Sequence, residues 1–372
     1  MTKKSPAKNQ SPAVSVIVAA FNVEKYLKKC LDSLLRQTLT NIEIIVIDDA
    51  STDQTRSIIS DYAKKDHRIQ PIYNDKHIGV SAARNQGIDQ SCSEYLMVCD
   101  ADDFYEPDMC EKLYQALERT GADAGTCEDN IIYHAHREMK PSDDFYYSLK
   151  FVGLNDVSDN LILNTDLSVH NKIFRKSIID KYQLRYPEGL FYEDAYFCVA
   201  YFCVSRKIYY LNERLYNYIR HNNSTMSNTW SSDKDQDLAI DHLHIAFRLY
   251  DFLEQHQLLS KYNELFWQLF YAFEYFAVDH SKTKARKQQV RQEALDFIAA
   301  HSDSFAHAEI GSRDDITTLN SRKFLPNSAR IKRFILRVMP TYRLQISNVL
   351  RMRSIKSKNQ NLNDQLNRLV KK

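Results

Sequence analysis

Val14 to Ala20 (VSVIVAA) is a continuous apolar, β-branched run, the pattern of a strand buried on both faces. Residues 24–37 then set Leu27, Cys30, Leu31, Leu34 and Leu35 at helical spacing, which gives one apolar stripe. Ile42 to Ile47 (IEIIVI) predicts a second buried strand, ending at Asp48-Asp49. Ser51 and Asp53 are placed to cap a helix whose buried face is Ile58, Ile59, Tyr62 and Ala63. A third strand is expected at Ile69 to Tyr73, a third helix over residues 80–90, and a fourth strand at Tyr95 to Cys99. Pro107 opens a helix carrying Leu113, Ala116 and Leu117. Strand and helix alternating at this spacing specify an open, mostly parallel α/β sheet flanked by helices. Sites in such sheets lie beyond the carboxyl ends of the strands. The polar clusters gather there: Phe21-Asn22 after the first strand, Asp48-Asp49 after the second, Asp100 to Asp103 after the fourth.

After about residue 125 the alternation weakens. Residues 155–164 and 194–205 read as helical and 207–219 as extended. Residues 233–305 follow a helical, tyrosine-rich pattern, with Leu238, His242, Ile245, Ala246 and Leu249 on one stripe. Phe266 to Val278 is the most apolar run, but Gln268 and Glu274 interrupt it and it is shorter than the ~18–20 residues of a membrane span, so it reads as a buried helix. The first residues are polar and lack the apolar core of a signal peptide. The expected division is a disordered stretch at 1–12, an α/β domain at 13–222, a helical C-terminal region at 223–320 and a tail at 321–372.

Charge changes this picture at the tail. The net charge is only +2, yet residues 321–372 hold 14 Lys and Arg against one acid, leaving 36 basic and 47 acidic residues before them. An acidic body with a basic tail suggests tethering to an anionic surface. Ile331, Phe334, Ile335 and Val338 form a helical stripe among Arg330, Lys332, Arg333 and Arg337, the character of a helix lying in anionic headgroups. The alternative is a helix packed on the acidic body. Ile355, Leu362, Leu366 and Leu369 have heptad-like spacing that permits a homodimer. No nucleic-acid module accompanies the charge, so nucleic acid is not an expected partner. The seven cysteines include no CxxC pair and read as reduced thiols of a cytoplasmic protein. Only seven glycines are present, and no GxGxxG follows the first strand, which argues against a dinucleotide-dependent dehydrogenase. A sugar nucleotidyltransferase would need a glycine- and basic-rich loop where this chain has AAFN.

Asp100, Asp102 and Asp103 lie just past an apolar strand. Burying three carboxylates together is costly unless a cation sits among them. Hard oxygen ligands suit Mg²⁺ or Mn²⁺ together with a diphosphate. The plainer alternative is a solvated turn capping the helix at Pro107. A carboxylate at Asp49 is placed to accept hydrogen bonds from a nucleobase.

The runs VSVIVAAFN (14–22), VIDDASTDQT (46–55), HIGVSAARNQGI (77–88) and CDADDFYEPD (99–108) resemble the successive motifs of family-two glycosyltransferases with the GT-A fold. The likeness extends through NKIFRKSII (171–179) and FYEDAYF (191–197), and departs at Ala50, where the family often has Gly. The resemblance implies a GT-A-type nucleotide-binding sheet and a metal-dependent inverting transferase. It gives base reading to Asp49, with Ala20, Phe21 and Asn22 nearby, and places Arg84 near the diphosphate; the plainer reading of Arg84, a salt bridge to one of the aspartates, is compatible with that. Asp100 touches ribose or a metal-bound water, Asp102 ligates the metal, and Asp103 supports it or meets the donor sugar. Glu193-Asp194 matches the family's ED pair, with Asp194 the general base; by itself the pair would merely favour a helix N-terminus. Arg220 is a candidate phosphate contact and His221 a further metal ligand. The implied partners are a nucleotide-sugar donor, UDP-linked in the first instance, and a saccharide or lipid-linked saccharide acceptor at the inner face of the cell membrane, as in bacterial surface-polysaccharide synthesis. The rival is a non-catalytic carbohydrate-binding or scaffold protein on a transferase fold.

Overall fold

In the computed structural model the described residues are 11–135, 138–141, 151–220, 238–301 and 303–304. The first half follows the expected alternation: β1 (Val14–Ala20), α1 (Leu27–Leu35), β2 (Ile42–Asp48), α2 (Thr55–Lys65), β3 (Ile69–Tyr73), α3 (Val80–Gln90), β4 (Tyr95–Val98), β5 (Phe104–Tyr105) and α4 (Met109–Thr120). β6 (Ala124–Ala135), β7 (Glu138–Pro141), β8 (Gly153–Asp156), α5 (Asp159–Leu163), β9 (Lys172–Arg175), α6 (Lys176–Lys181), α7 (Glu193–Val204) and β10 (Lys207–Arg220) continue it. A one-turn helix at Leu238–Ile240 then leads into α8 (Asp241–Gln255), α9 (Leu259–His280) and α10 (Lys284–Ala300).

One sheet runs in the order β3-β2-β1-β4-β9-β6-β10-β5, with β7 beside β6 and β8 beside β10. β1 to β4 pair in parallel, as their buried apolar runs require. Beyond them the sheet is mixed: β9 is antiparallel to β4 and β6, whereas β6 and β10 are parallel. The expected helix over 155–164 is shorter, because residues 153–156 pair with β10 and Ser158 caps only a five-residue α5.

Alternation along the strands feeds two cores. Val14, Val16 and Val18 pack with α1, α2 and α4 on one face, and Ile17, Ile45 and Ile47 face α3 and α7 on the other. α3 lies so close to β1 that a β-carbon at Gly87 would sit 2.5 Å from Ile17 Cγ2. The second core runs without a break through α7 into α8, α9 and α10, so the helical region is packed directly on the helix that begins at Glu193-Asp194. Phe266, Trp267 and Phe270 are fully buried there, as the interrupted apolar run predicts. Among the described residues no helix is long and apolar enough to cross a membrane. All seven cysteines are free thiols. His221 and the 321–372 tail, with its membrane and dimer expectations, lie outside the described residues.

Candidate active site

The loops after β1 and β2 are stitched together where the strands end. Asp49 N–H donates to Ala20 O at 2.9 Å, Asn22 N–H to Ser51 Oγ at 3.0 Å, and Thr52 N–H to Asn22 Oδ1 at 2.8 Å. Asp53 caps α2 through Thr55 N–H (2.9 Å) and also takes Glu24 N–H (3.1 Å). Ser51 serves the β1 loop rather than the helix. Ala50 stands at φ +60°, the left-handed region that glycine adopts most readily.

The Asp49 carboxylate is buried and engaged with its own chain. It accepts N–H bonds from Ile78 (2.9 Å), Gly79 (2.8 Å) and Asn74 Nδ2 (3.2 Å), with His77 Nδ1 at 2.8 Å. Asp49 therefore shapes the loop before α3. What that loop presents is His77 stacked on the half-exposed Phe21, ring centroids 4.1 Å apart. Phe21 is thus an aromatic surface at the mouth of the crevice.

The acidic run divides by direction. Asp103 points inward: its carboxylate accepts from Tyr216 OH and from Ile219 N–H, both at 2.6 Å, and is buried. Burial, then Asp102 and Asp100, push the Asp103 pKa well above the carboxylate range. Asp103 thus ties the run to β10. Asp102 is half-buried on the turn between Asp100 and Asp103. Asp100 faces Arg84, whose Nη2 donates at 2.8 Å, and its other oxygen lies 3.9 Å from His170 Nδ1. Burial would raise the Asp100 pKa, but Arg84 and then His170 hold it below the usual value.

Arg84 is the joint of the site. It projects from α3, 5% exposed, and its Nη1 donates to Glu193 Oε1 at 2.8 Å and Asp194 Oδ1 at 2.6 Å. These salt bridges of Arg84 join the end of β4 to the start of α7. Neighbouring Asn85 holds the chain before α7 in place, donating to Tyr186 O at 2.9 Å and accepting from Tyr186 N–H at 2.8 Å. Burial and then Asp194, opposed by Arg84, raise Glu193 to about 7. Asp194 is also raised, first by burial, with Arg84 again the opposing influence. Its second oxygen meets Val169 N–H at 3.4 Å, a long contact that leaves it open to a further donor.

His170, Asp129, Asp166 and Tyr216 were not singled out from the sequence. His170 lies between Asp100 and Asp129, with Nε2 3.2 Å from Asp129 and its ring stacked on Tyr216 at 4.1 Å. Burial lowers its pKa, but Asp129, Asp100 and Asp166 outweigh that and lift it to about 9. The only signal for it was its place beside the polar pair Asn171-Lys172. Arg220, the last residue of β10, lies with its guanidinium 5.9 Å from the Tyr218 ring.

Two residue sets could hold a cation. Ligand atoms of Asp129, Asp166 and His170 lie within 4.8 Å of one another, but His170 and the Lys172 ammonium 3.7 Å from Asp166 already balance those carboxylates. Around Asp100, Asp102, Asp103, Glu193 and Asp194 the facing cations among the described residues include Arg84, His170 and, toward Asp103, Lys29. An excess of carboxylates, with Asp103 and Glu193 pushed up first by burial and then by their neighbours, is what a divalent cation neutralises. The residues at Asp100 and Asp102 fit Mn²⁺ or Mg²⁺.

The Glycosyl transferase family 2 model matches residues 15–183, the segment from β1 to just beyond α6. GlyA of Streptococcus pneumoniae, a glycosyltransferase, is 33% identical over 230 residues, 59% of this chain but only 32% of its own length. EpsJ of Bacillus subtilis, described as an uncharacterized glycosyltransferase, is 31% identical over 61% of this chain and 67% of its own. The structure of S. aureus TarS residues 1–349, in complex with UDP-GlcNAc, superposes with a TM-score of 0.52 at 21% identity, over 76% of this chain and 88% of that one, and so shares the fold. The chain belongs to glycosyl transferase family 2.

Proposed function

We propose that the protein moves a sugar from a nucleoside diphosphate donor, a UDP-sugar, to a hydroxyl of a saccharide or lipid-linked saccharide, with inversion at the anomeric carbon. The observation that carries this reading is the Arg84 bridge. One buried guanidinium holds Asp100, on the β4 side of the crevice, and Asp194, at the head of α7, each within 2.8 Å. A leaving diphosphate and an attacking hydroxyl need groups on opposite sides of one carbon, and the bridge supplies both from one fixed frame. The UDP-GlcNAc complex of TarS supports a UDP-linked donor by shared fold.

In this reading Asp194 Oδ2 receives the acceptor's proton. Burial raises the basicity of Asp194, and Arg84 opposes that rise. As the O–H bond breaks, the hydroxyl oxygen bonds to the anomeric carbon. The bond from that carbon to the phosphate oxygen breaks, and its electron pair leaves with the nucleoside diphosphate. Attack from the face opposite the leaving group inverts the configuration. Asp100 and Asp102 would hold Mn²⁺ or Mg²⁺, which supplies neutralising charge to the diphosphate. Phe21 and His77 offer a stacking surface for the base, on a loop that Asp49 fixes. The basic tail would bring this site to an anionic membrane face, where a lipid-linked acceptor of surface-polysaccharide synthesis resides.

The test is a panel of nucleotide sugars scored for hydrolysis and transfer with and without Mn²⁺. Asp194→Asn and Asp102→Ala should each abolish transfer while the circular dichroism spectrum stays unchanged. Near-normal turnover by Asp194→Asn would sink the assignment of the base. Binding of sugar nucleotides with no turnover under any metal would favour the non-catalytic alternative.

A further inference from the structure

The proposed base sits at the start of α7, and the residue before that helix is in an unusual state. Tyr192, the N-cap, has φ +68° and ψ +27°, a left-handed conformation that a side chain bearing a β-carbon disfavours by ~1–2 kcal/mol. Such a residue persists only where its surroundings over-determine it. Here the surroundings come from the helical region, from two consecutive residues opening α8. Asp241 Oδ2 accepts the backbone N–H of Phe191 at 3.1 Å, and the residue is buried. The imidazole of His242 lies flat on the Tyr192 ring, centroids 3.4 Å apart and planes 16° from parallel.

His242 is itself an anomaly. It is buried, and neither ring nitrogen has a hydrogen-bond partner. A buried ring that leaves both nitrogens unsatisfied costs stability. Its neighbours are Phe273, Phe276 and His280, so its surroundings are rings. What the side chain contributes is a flat face against Tyr192.

We infer that Asp241 and His242 are positioning residues for the transferase: together they lock the left-handed turn at Phe191-Tyr192 and so fix where Glu193 and Asp194 emerge against Arg84. This rests on the reading of Asp194 as the base. It also assigns the region after residue 240 a part in the reaction, though the family match ends at 183. Among the described residues the turn is held from one side by a backbone hydrogen bond and a ring stack. On the other side Arg84 grips the two carboxylates directly after it. Loosening the α8 holds lets Tyr192 relax toward negative φ, which swings the first turn of α7 and carries Asp194 off its attacking line. Donor binding, which this reading gives to the crevice from β1 to β4, is untouched.

Asp241→Ala and His242→Leu test this, with Asp241→Asn and His242→Phe as the conservative pair. Asparagine keeps an oxygen for Phe191 N–H, and phenylalanine keeps the flat face without the unsatisfied nitrogens. The expected result is a fall in kcat for transfer of about ten- to a hundred-fold in the first pair, with donor KM within about two-fold of wild type. The conservative pair should stay near wild type. A crystal structure of Asp241→Ala should show Tyr192 out of the left-handed region and the Asp194–Arg84 contact broken. Wild-type kcat in both Asp241→Ala and His242→Leu would overturn the inference, as would an unchanged Tyr192 φ in the crystal. Equal impairment in the conservative pair would also overturn it. If Asp194→Asn retained turnover, the base assignment would fail instead, and the Tyr192 geometry in Asp241→Ala would still decide whether these residues position the turn.

Discussion

Replacing Arg84 with glutamine tests the electrostatic frame of the site. The side chain is 5% exposed and makes three carboxylate contacts between 2.6 and 2.8 Å. Removing one partner of a buried ionic set strands the others, at about 3–5 kcal/mol. The pH dependence separates this from a simple packing defect. Glu193 is raised to about 7 and Asp194 is also raised, so across the interval from the ordinary carboxylate value to about 7 the folded state binds more protons than the unfolded one. Stability therefore falls as pH rises through that interval. Arg84 is the influence that opposes both shifts. Without it both carboxyls rise further, and the loss extends to higher pH. Asp100 has the opposite sign: its depressed pKa contributes stability present above the ordinary value and lost in acid, and Arg84 supplies most of that attraction. In the wild-type chain the depressed Asp100 adds no pH dependence above the ordinary value, and in Arg84→Gln burial acts on Asp100 in the same direction as on Glu193 and Asp194, so it does not mask the trend. Urea unfolding in the presence of a chelator should show Arg84→Gln destabilised more at pH 8 than at pH 5.5, with the difference exceeding about 1 kcal/mol. Equal destabilisation at both pH values would refute the argument, because a pure packing loss does not titrate. Arg84→Lys should fall between, since an ammonium keeps the charge but not the fork that reaches both sides.

Three further outcomes follow from single features. Ala50→Gly should stabilise the fold by about 0.5–1 kcal/mol, the left-handed strain relieved less the extra chain entropy of glycine; an unchanged urea midpoint would count against strain at that turn. Gly87→Ala should destabilise by about 1–3 kcal/mol despite a better helix former, because Ile17 is β-branched and fully buried and cannot retreat from the new methyl; Ile17→Ala in the same chain should recover part of the loss in thermal melts. Deleting residues 321–372 should abolish co-sedimentation with phosphatidylserine vesicles and leave hydrolysis of a soluble donor unchanged; persistent co-sedimentation would move the membrane contact to the body of the protein.

How legible the site was depended on what each strand faces. β1, β2 and β4 are buried on both sides, so they appear as unbroken apolar runs, and the residues just past them read as site residues. β6 escaped because it passes beneath a polar crevice and carries Glu128, Asp129 and Asn130 where an apolar run would be expected. With β6 unplaced, Asp129 had no position, and neither did its partner His170. The helix over 155–164 was overextended for a related reason. Residues 153–156 form an edge strand with alternating exposure, and four residues are too few for that period to outweigh the helical spacing that follows.

The acidic run shows a different limit. Sequence places Asp100, Asp102 and Asp103 together but cannot say which way each carboxylate points. In the structure Asp103 turns inward to Tyr216 and Ile219, and Asp100 turns to Arg84. Composition alone would have counted three metal ligands. The packing makes Asp103 the anchor that binds the run to β10, and the proposed cation then falls to Asp100 and Asp102. Arg84 was visible as one basic residue in a motif, whereas its meaning comes from Asp194, 110 residues along the chain. The chemistry proposed here therefore depends on long-range contacts that no local pattern encodes: β4 to α3, α3 to α7, and the α7 turn to α8. A substitution in α8 that leaves every motif intact can disable the reaction as surely as one in the aspartate run.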